Sequence, residues 1–319
     1  MSLSKTFRIF AIGGAHVDRR GRMTADFVPG ASIPGTMRED VGGGVFNAVR
    51  TAVRRGAVAT LMSVRGGDGA GLRVAEAIAA EGIRDASAVF LDRATPSYTA
   101  LLDRHGDVVA ALADMELYEL AFPRQMRRSK IREELLRADA IFADANLPAA
   151  ALERLATAAE GMPFFAVAIS PAKVVRLARV LPALDCLFMN RREAAALVTD
   201  GEATAFEDGA GLAAALSARG LRRGVISDGP RPALFFDGEK RWTLTPPKPR
   251  RIADVTGAGD ALAGATAAAL VAGCDFPQAV REGAAAAMLA VEAQGAAPFL
   301  GESEFSAALA LVPSAVEMR

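Results

Sequence analysis

Short, nearly continuous apolar runs alternate along the chain with longer stretches in which apolar residues recur every three or four positions. The runs at 7–12, 57–64, 140–143, 164–169, 186–189 and 224–226 have the pattern of strands buried on both faces, as a parallel sheet between helix layers requires. Helical spacing predicts helices over 46–55, 72–80, 131–136, 149–159, 191–198 and 211–218. Strand–helix alternation of this kind implies right-handed βαβ units in a doubly wound α/β sheet, a three-layer αβα core.

Two segments break the rhythm. Residues 20–40 are rich in glycine, proline and polar residues. Residues 95–112 read as two strands, 97–103 and 107–112, joined at Arg104-His105-Gly106 in a hairpin pattern. A small β-sheet lid built from about 16–41 and 95–116, beside a single core, accounts for all 319 residues without a second full domain.

Composition narrows the function. With 51% hydrophobic and 23% charged residues the chain is ordinary for a compact protein. Its 37 Lys+Arg balance 37 Asp+Glu, so no basic field is available for a nucleic acid polymer or an anionic membrane. The most apolar stretch, 261–274, lies between Asp260 and Asp275 and falls short of the roughly 20 residues that span a bilayer. The chain's start lacks the apolar core of a signal peptide. Cys186 and Cys274 have no metal-ligand spacing, and a reducing cytoplasm is the expected location. The histidines, His16 and His105, cannot build a histidine-rich zinc site.

The strongest chemical signal is Asp254-Val255-Thr256-Gly257-Ala258-Gly259-Asp260, followed at once by the small-residue helix 261–273. A glycine-rich turn opening a long helix offers unpaired N–H groups and the positive end of a dipole, an anion site. A carboxylate at the mouth of an oxyanion site makes sense as a general base that takes a proton from an alcohol as phosphate arrives. The alternative is an aspartate capping a helix. No G-x-x-x-x-G-K-[ST] is present, and no G-x-G-x-x-G opens the first helix.

Asp254 to Asp260 resembles the C-terminal motif of the ribokinase/PfkB carbohydrate kinase family. Three further motifs resemble that family in order: Gly42-Gly43 with Asn47, then Gly66, Asp68 and Gly71, then Asn190 and Glu193. Within the family the chain is most similar to the pseudouridine kinases. The carriers are Val28-Pro29-Gly30 with Ile33-Pro34-Gly35, Thr95-Pro96-Ser97-Tyr98 through Leu101-Leu102-Asp103 and Gly106, Ala113-Asp114-Met115, and Ala143-Asp144-Ala145-Asn146.

The resemblance implies a ribokinase-like fold and ATP-dependent phosphorylation of a ribosyl 5′-hydroxyl, with pseudouridine as acceptor. It implies that Asp260 deprotonates the hydroxyl while the N–H groups of Gly257, Ala258 and Gly259 stabilise the transferring phosphoryl group. Asp18, Gly43 and Asn47 would bind sugar hydroxyls, with His16, Ser97 and Tyr98 near the ribose or base. Asn190 and Glu193 would organise Mg²⁺ through water, unless they form only a capping box. Ser227 and Gly229 would contact the nucleotide, Asp254 and Thr256 a K⁺ ion. It also implies a homodimer joined through the lid.

Four residues in three places depart from the pattern. His16 stands where asparagine is usual, Val45-Phe46 replaces the usual glycine and arginine before Asn47, and Pro230 follows Gly229 where a second glycine is usual. The rival readings are another PfkB-type sugar or nucleoside kinase, ribose included, and a non-catalytic nucleoside-binding regulatory protein.

Overall fold

The computed structural model describes residues 7–200, 209–293 and 301–318. Among them, ten strands form one sheet in the order Val316–Glu317, Lys240–Leu244, Arg231–Asp237, Arg223–Asp228, Cys186–Asn190, Phe164–Val167, Ala140–Asp144, Arg8–Ile12, Val58–Met62, Arg84–Asp85. Neighbours from Arg84–Asp85 to Arg223–Asp228 run parallel, and the last three strands continue antiparallel. Because side chains alternate across a strand, the sheet feeds two cores. Ile9, Ala11, Phe142, Phe165 and Val225 pack on one face with Phe46 and the helices Ala258–Val271 and Phe276–Glu292. Phe10, Ile12, Ile141, Phe164 and Ile226 pack on the other with Tyr118, Leu152 and Leu212.

Arg8–Ile12 pairs with Val58–Met62 on one side and Ala140–Asp144 on the other. Its carboxyl end is therefore a switch point, where connections leave in opposite directions and a crevice opens. A second sheet, in the order Gly35–Gly42, His16–Met23, Ser97–Leu102, Val108–Asp114, grows from that end. Its outermost strand, Val108–Asp114, is exposed along nearly its whole length.

Several boundaries differ from the pattern-based expectation. The run 57–64 splits at Ser63, because Val64–Gly66 leaves the main sheet to pair with Ala88–Phe90. At buried Ser63 the amide turns to a side-chain partner, donating to Ser87 Oγ, while its carbonyl accepts from Ala88 N and its own Oγ accepts from Ala15 N. The run 164–169 stops at Val167, and Ile169 adopts φ +73°, an outlier for a β-branched residue. Proline at 232 and the polar turn at Gly238 hid the hairpin of Arg231–Asp237 and Lys240–Leu244. Alanine bias hid the helix Phe276–Glu292, whose buried stripe holds more alanine than any other residue.

The glycine-rich string opens its helix earlier than expected, at Ala258, with Gly257 as N-cap at φ +79°. A side chain at Gly257 would be strained in that left-handed conformation. The helix is small-residued because it is clasped by neighbours: a Cβ on Gly264 would stand 2.0 Å from Ala48 O. No helix among the described residues is long and apolar enough to cross a membrane.

Candidate active site

Asp260 lies in the first turn of Ala258–Val271, where backbone N–H groups lack intrahelical partners. Ala258 N makes only a long 3.4 Å contact with Val255 O, and the space beside Gly259 is open. An anion arriving there meets these N–H groups and the positive helix end together. Asp260 Oδ2 accepts a 2.9 Å hydrogen bond from Asn47 Nδ2. Burial pushes the Asp260 carboxyl up to about 7, reinforced by the Asp144 and Glu193 charges and opposed by Asn47 and the Arg50 guanidinium. A carboxylate with that affinity can accept a proton near neutral pH.

Asn47 sits on the first helix, Gly44–Arg54, and is buried. Its amide nitrogen is committed to Asp260, and its Oδ1 is buried without a hydrogen-bond partner. An orphaned acceptor of this kind costs stability unless a ligand donor satisfies it. Gly43 makes the tight entry to that helix at φ +120°, and a Cβ there would stand 2.2 Å from Gly14 O.

On the other side of Asp260 opens a cavity of roughly 590 Å³, whose lining includes Asn190, Glu193, Ser227, Gly229 and Asp260. Its far walls are apolar, with Leu244, Ile252 and Met288, a composition suited to a planar heterocycle with polar groups at one end. Asn190 caps the helix Arg191–Val198: its Oδ1 accepts from Glu193 N at 3.0 Å, and Glu193 Oε2 accepts from Asn190 N at 2.7 Å. The pair is thus a capping box and part of the cavity wall at once. Burial raises the Glu193 carboxyl, against the hydrogen bonds from Asn190.

The lid sheet brings a further set together. Asp18 pairs in register with Tyr98 and with Asp40, and Ser97 with Val17. Ser97 and Tyr98 are half-buried. Asp18 stays clear only because its neighbour is glycine: a Cβ on Gly42 would stand 2.1 Å from Asp18 Oδ2. His16 is buried, with Nδ1 3.0 Å from Tyr118 Oη and Nε2 3.3 Å from Asp18 Oδ1. Arg20, on the same strand as Asp18, reaches across to the anion loop and donates to Asp254 Oδ2 at 2.7 Å. Asp254 Oδ1 accepts from Thr256 N. Against the upward push of burial, these bonds hold the Asp254 carboxyl below its ordinary range.

Four residues here were not singled out from the sequence as site residues. Buried Asp144, at the end of Ala140–Asp144, accepts from Gly14 N and Val45 N, pinning both glycine-rich turns of the crevice. The signal was its place in Ala143-Asp144-Ala145-Asn146, at a strand's carboxyl end. Arg50 lies one turn beyond Phe46, its guanidinium 5.0 Å from that ring, and burial lowers it to about 10. Tyr118 and Arg20 come from segments whose approach to the crevice only the fold decides.

The family model for pfkB family carbohydrate kinase matches residues 7–301. Pseudouridine kinase of Escherichia coli (strain K12) is 30% identical over 277 residues, 86% of this chain and 87% of that protein. A carbohydrate kinase from Agrobacterium tumefaciens matches with TM-score 0.85 and 42% identity, covering 98% of this chain and 100% of that chain. Arabidopsis thaliana ribokinase, solved with ribose and ATP, matches with TM-score 0.82 at 20% identity, over 96% and 99% of the two chains, a likeness of fold.

Proposed function

Because the chain belongs to the pfkB family of carbohydrate kinases, and is thereby an ATP-dependent kinase of a sugar or nucleoside hydroxyl, we propose that its acceptor is the ribose 5′-hydroxyl of pseudouridine. The observation that carries the chemistry is the Asn47–Asp260 pair at the meeting of crevice and cavity. The choice of acceptor is supported by the whole-length similarity to the Escherichia coli pseudouridine kinase and by the lid strand that sets Tyr98 beside Asp18.

In this reading ATP occupies the cavity, its base against Leu244, Ile252 and Met288 and its phosphates toward Ser227, Gly229 and the anion loop. The acceptor lies between lid and core. Asp18 accepts from sugar hydroxyls, and the orphaned Asn47 Oδ1 accepts from another. Gly43 and its turn leave room for close approach, with Ser97 and Tyr98 lining the lid side. Asp260 takes the hydroxyl proton as the oxygen attacks the γ-phosphorus and the bond from that phosphorus to the β,γ-bridging oxygen breaks, releasing ADP, while the N–H groups of Gly257, Ala258 and Gly259 hold the charge on the transferring group. Most of the rate then comes from position and charge neutralisation.

Asn190 and Glu193 fit Mg²⁺ held through water: both line the cavity, their donors are hard oxygens, and the capping box uses only Oε2 of the Glu193 carboxylate. Such an ion would neutralise phosphate charge. Asp254 and Thr256 fit K⁺ less well, because the Arg20 guanidinium already meets the carboxylate. Arg20 therefore ties lid to anion loop by direct charge pairing. Two copies of the chain would cover the exposed edge strand Val108–Asp114, which otherwise offers unpaired backbone and apolar side chains.

The test is ATP-dependent phosphorylation of pseudouridine, uridine, adenosine, ribose and fructose in one panel with Mg²⁺ and K⁺. A strong preference for pseudouridine is expected. Preference for another acceptor would retain the kinase and discard this specificity, and silence across the panel would favour a binding protein.

A further inference from the structure

Tyr118 is fully buried, on a helix, Glu116–Gln125, that contributes nothing else to the crevice described above. Its hydroxyl lies 3.0 Å from His16 Nδ1 and accepts from Ala15 N at 3.0 Å, and it also hydrogen-bonds Ser63. Burial, with the Asp144 and Asp18 charges, drives its phenol well above its ordinary pKa, against the Ser63 and Ala15 hydrogen bonds. The group is therefore a permanent O–H donor.

The donor count assigns the histidine tautomer. A carboxylate can only accept, so of the two neutral tautomers of an imidazole the one with its proton on Nε2 is the one that meets Asp18 Oδ1, 3.3 Å away, without lone-pair repulsion. Nδ1 is then an acceptor, and Tyr118 supplies the O–H for it. Tyr118 oxygen keeps two lone pairs for Ala15 N–H and the Ser63 hydroxyl. Every hydrogen is accommodated. The reverse tautomer would set a bare Nε2 lone pair against the carboxylate. Such a hydrogen-bonded partner commonly decides which imidazole nitrogen is protonated.

We propose that His16 and Tyr118 are positioning residues for the acceptor: Tyr118 donates to His16 Nδ1, His16 presents Nε2–H to Asp18 Oδ1, and Asp18 is thereby turned to take an acceptor hydroxyl. This rests on the reading that Asp18 binds the acceptor. It gives His16 a purpose distinct from touching substrate. An asparagine at 16 could present its amide N–H to the same carboxylate without any tyrosine behind it.

The tautomer can be read without turnover. The chain holds two histidines, and His105 lies exposed at the lid hairpin tip, so proton-coupled ¹⁵N spectra of the intact protein are simple to assign by comparison with His105→Gln. The expected signature for His16 is Nε2–H with an unprotonated Nδ1. The Nδ1–H tautomer would overturn the proposal.

Kinetics supply the second arm. His16→Ala and Tyr118→Phe should each raise the acceptor KM about tenfold, the scale of one lost hydrogen bond, while the KM for ATP stays within about twofold. His16→Asn should recover most of the loss seen in His16→Ala. If neither His16→Ala nor Tyr118→Phe moves the acceptor KM while Asp18→Asn does, the relay is merely structural and the proposal fails. If Asp18→Asn is also silent, the failure belongs to the assignment of Asp18 itself. Should Tyr118→Phe not fold, the His16→Ala and His16→Asn pair decides the same question.

Discussion

Asn47 Nδ2 donates a 2.9 Å hydrogen bond to Asp260 Oδ2, joining the first helix to the helix that opens at the anion loop, across 213 residues of sequence. The bond orients the carboxylate and leaves Asn47 Oδ1 as an unsatisfied acceptor in the crevice. One asparagine thus bears on both the proposed base and the proposed acceptor.

Replacing the base is the first consequence. Asp260→Asn removes the proton acceptor and keeps the shape, so turnover should fall by about 10²- to 10⁴-fold with ATP binding nearly unchanged. Steady-state kinetics and calorimetric titration with a non-hydrolysable ATP analogue check this. Turnover close to wild type would remove Asp260 from the role.

The acid limb of kcat/KM should lie near pH 7, because the Asp260 carboxyl, raised to about 7 mainly by burial, must be ionised to accept a proton. Asn47 opposes that rise. Asn47→Ala should therefore move the limb to higher pH as well as raise the acceptor KM. A pH–rate profile of both proteins decides, and an unmoved limb would detach Asn47 from the charge state of Asp260.

At Asp254 the Arg20 guanidinium provides the positive charge. Activity in wild type should change little when K⁺ is replaced by tetramethylammonium, and Arg20→Gln should lower activity and make it respond to K⁺. A wild-type enzyme silent without K⁺ would show that the ion binds beside the guanidinium.

The lid edge predicts an assembly. Leu112 and Val108, on the strand Val108–Asp114, are 69% and 60% exposed. Light scattering after gel filtration should give a dimer for the wild type and a monomer for Leu112→Glu. A monomeric wild type would leave the edge uncovered.

Packing carries its own prediction. Gly264→Ala would drive a methyl group to 2.0 Å from Ala48 O, a backbone atom that cannot yield without moving a helix. Overpacking of this kind costs about 1–3 kcal/mol, to be read as a lower midpoint in thermal melts.

Much of this molecule is legible as sequence, for a local reason. Strands buried on both faces must be apolar throughout, so the runs in the parallel part of the sheet announce themselves, and a phosphate-sized anion needs glycine and a helix start in immediate succession, so 254–260 reads as one unit. The break at Ser63, the φ of Ile169 and the hairpin after Gly229 were less visible, because each depends on which neighbour the chain meets. Asn190 and Glu193 were ambiguous for the opposite reason: one spacing serves a capping box and a cavity wall equally, and the fold makes them both.

What the sequence by itself determined is the local chemistry: where N–H groups gather, which segments can be buried, and which carboxylate stands in the first turn after the glycine-rich loop. What only the tertiary structure decided is who faces whom. Tyr118 meets His16 across 102 residues, and Arg20 meets Asp254 across 234. Such pairings follow from the packing of whole elements, which buries apolar surface over the entire chain and leaves no periodic trace at the residues it joins.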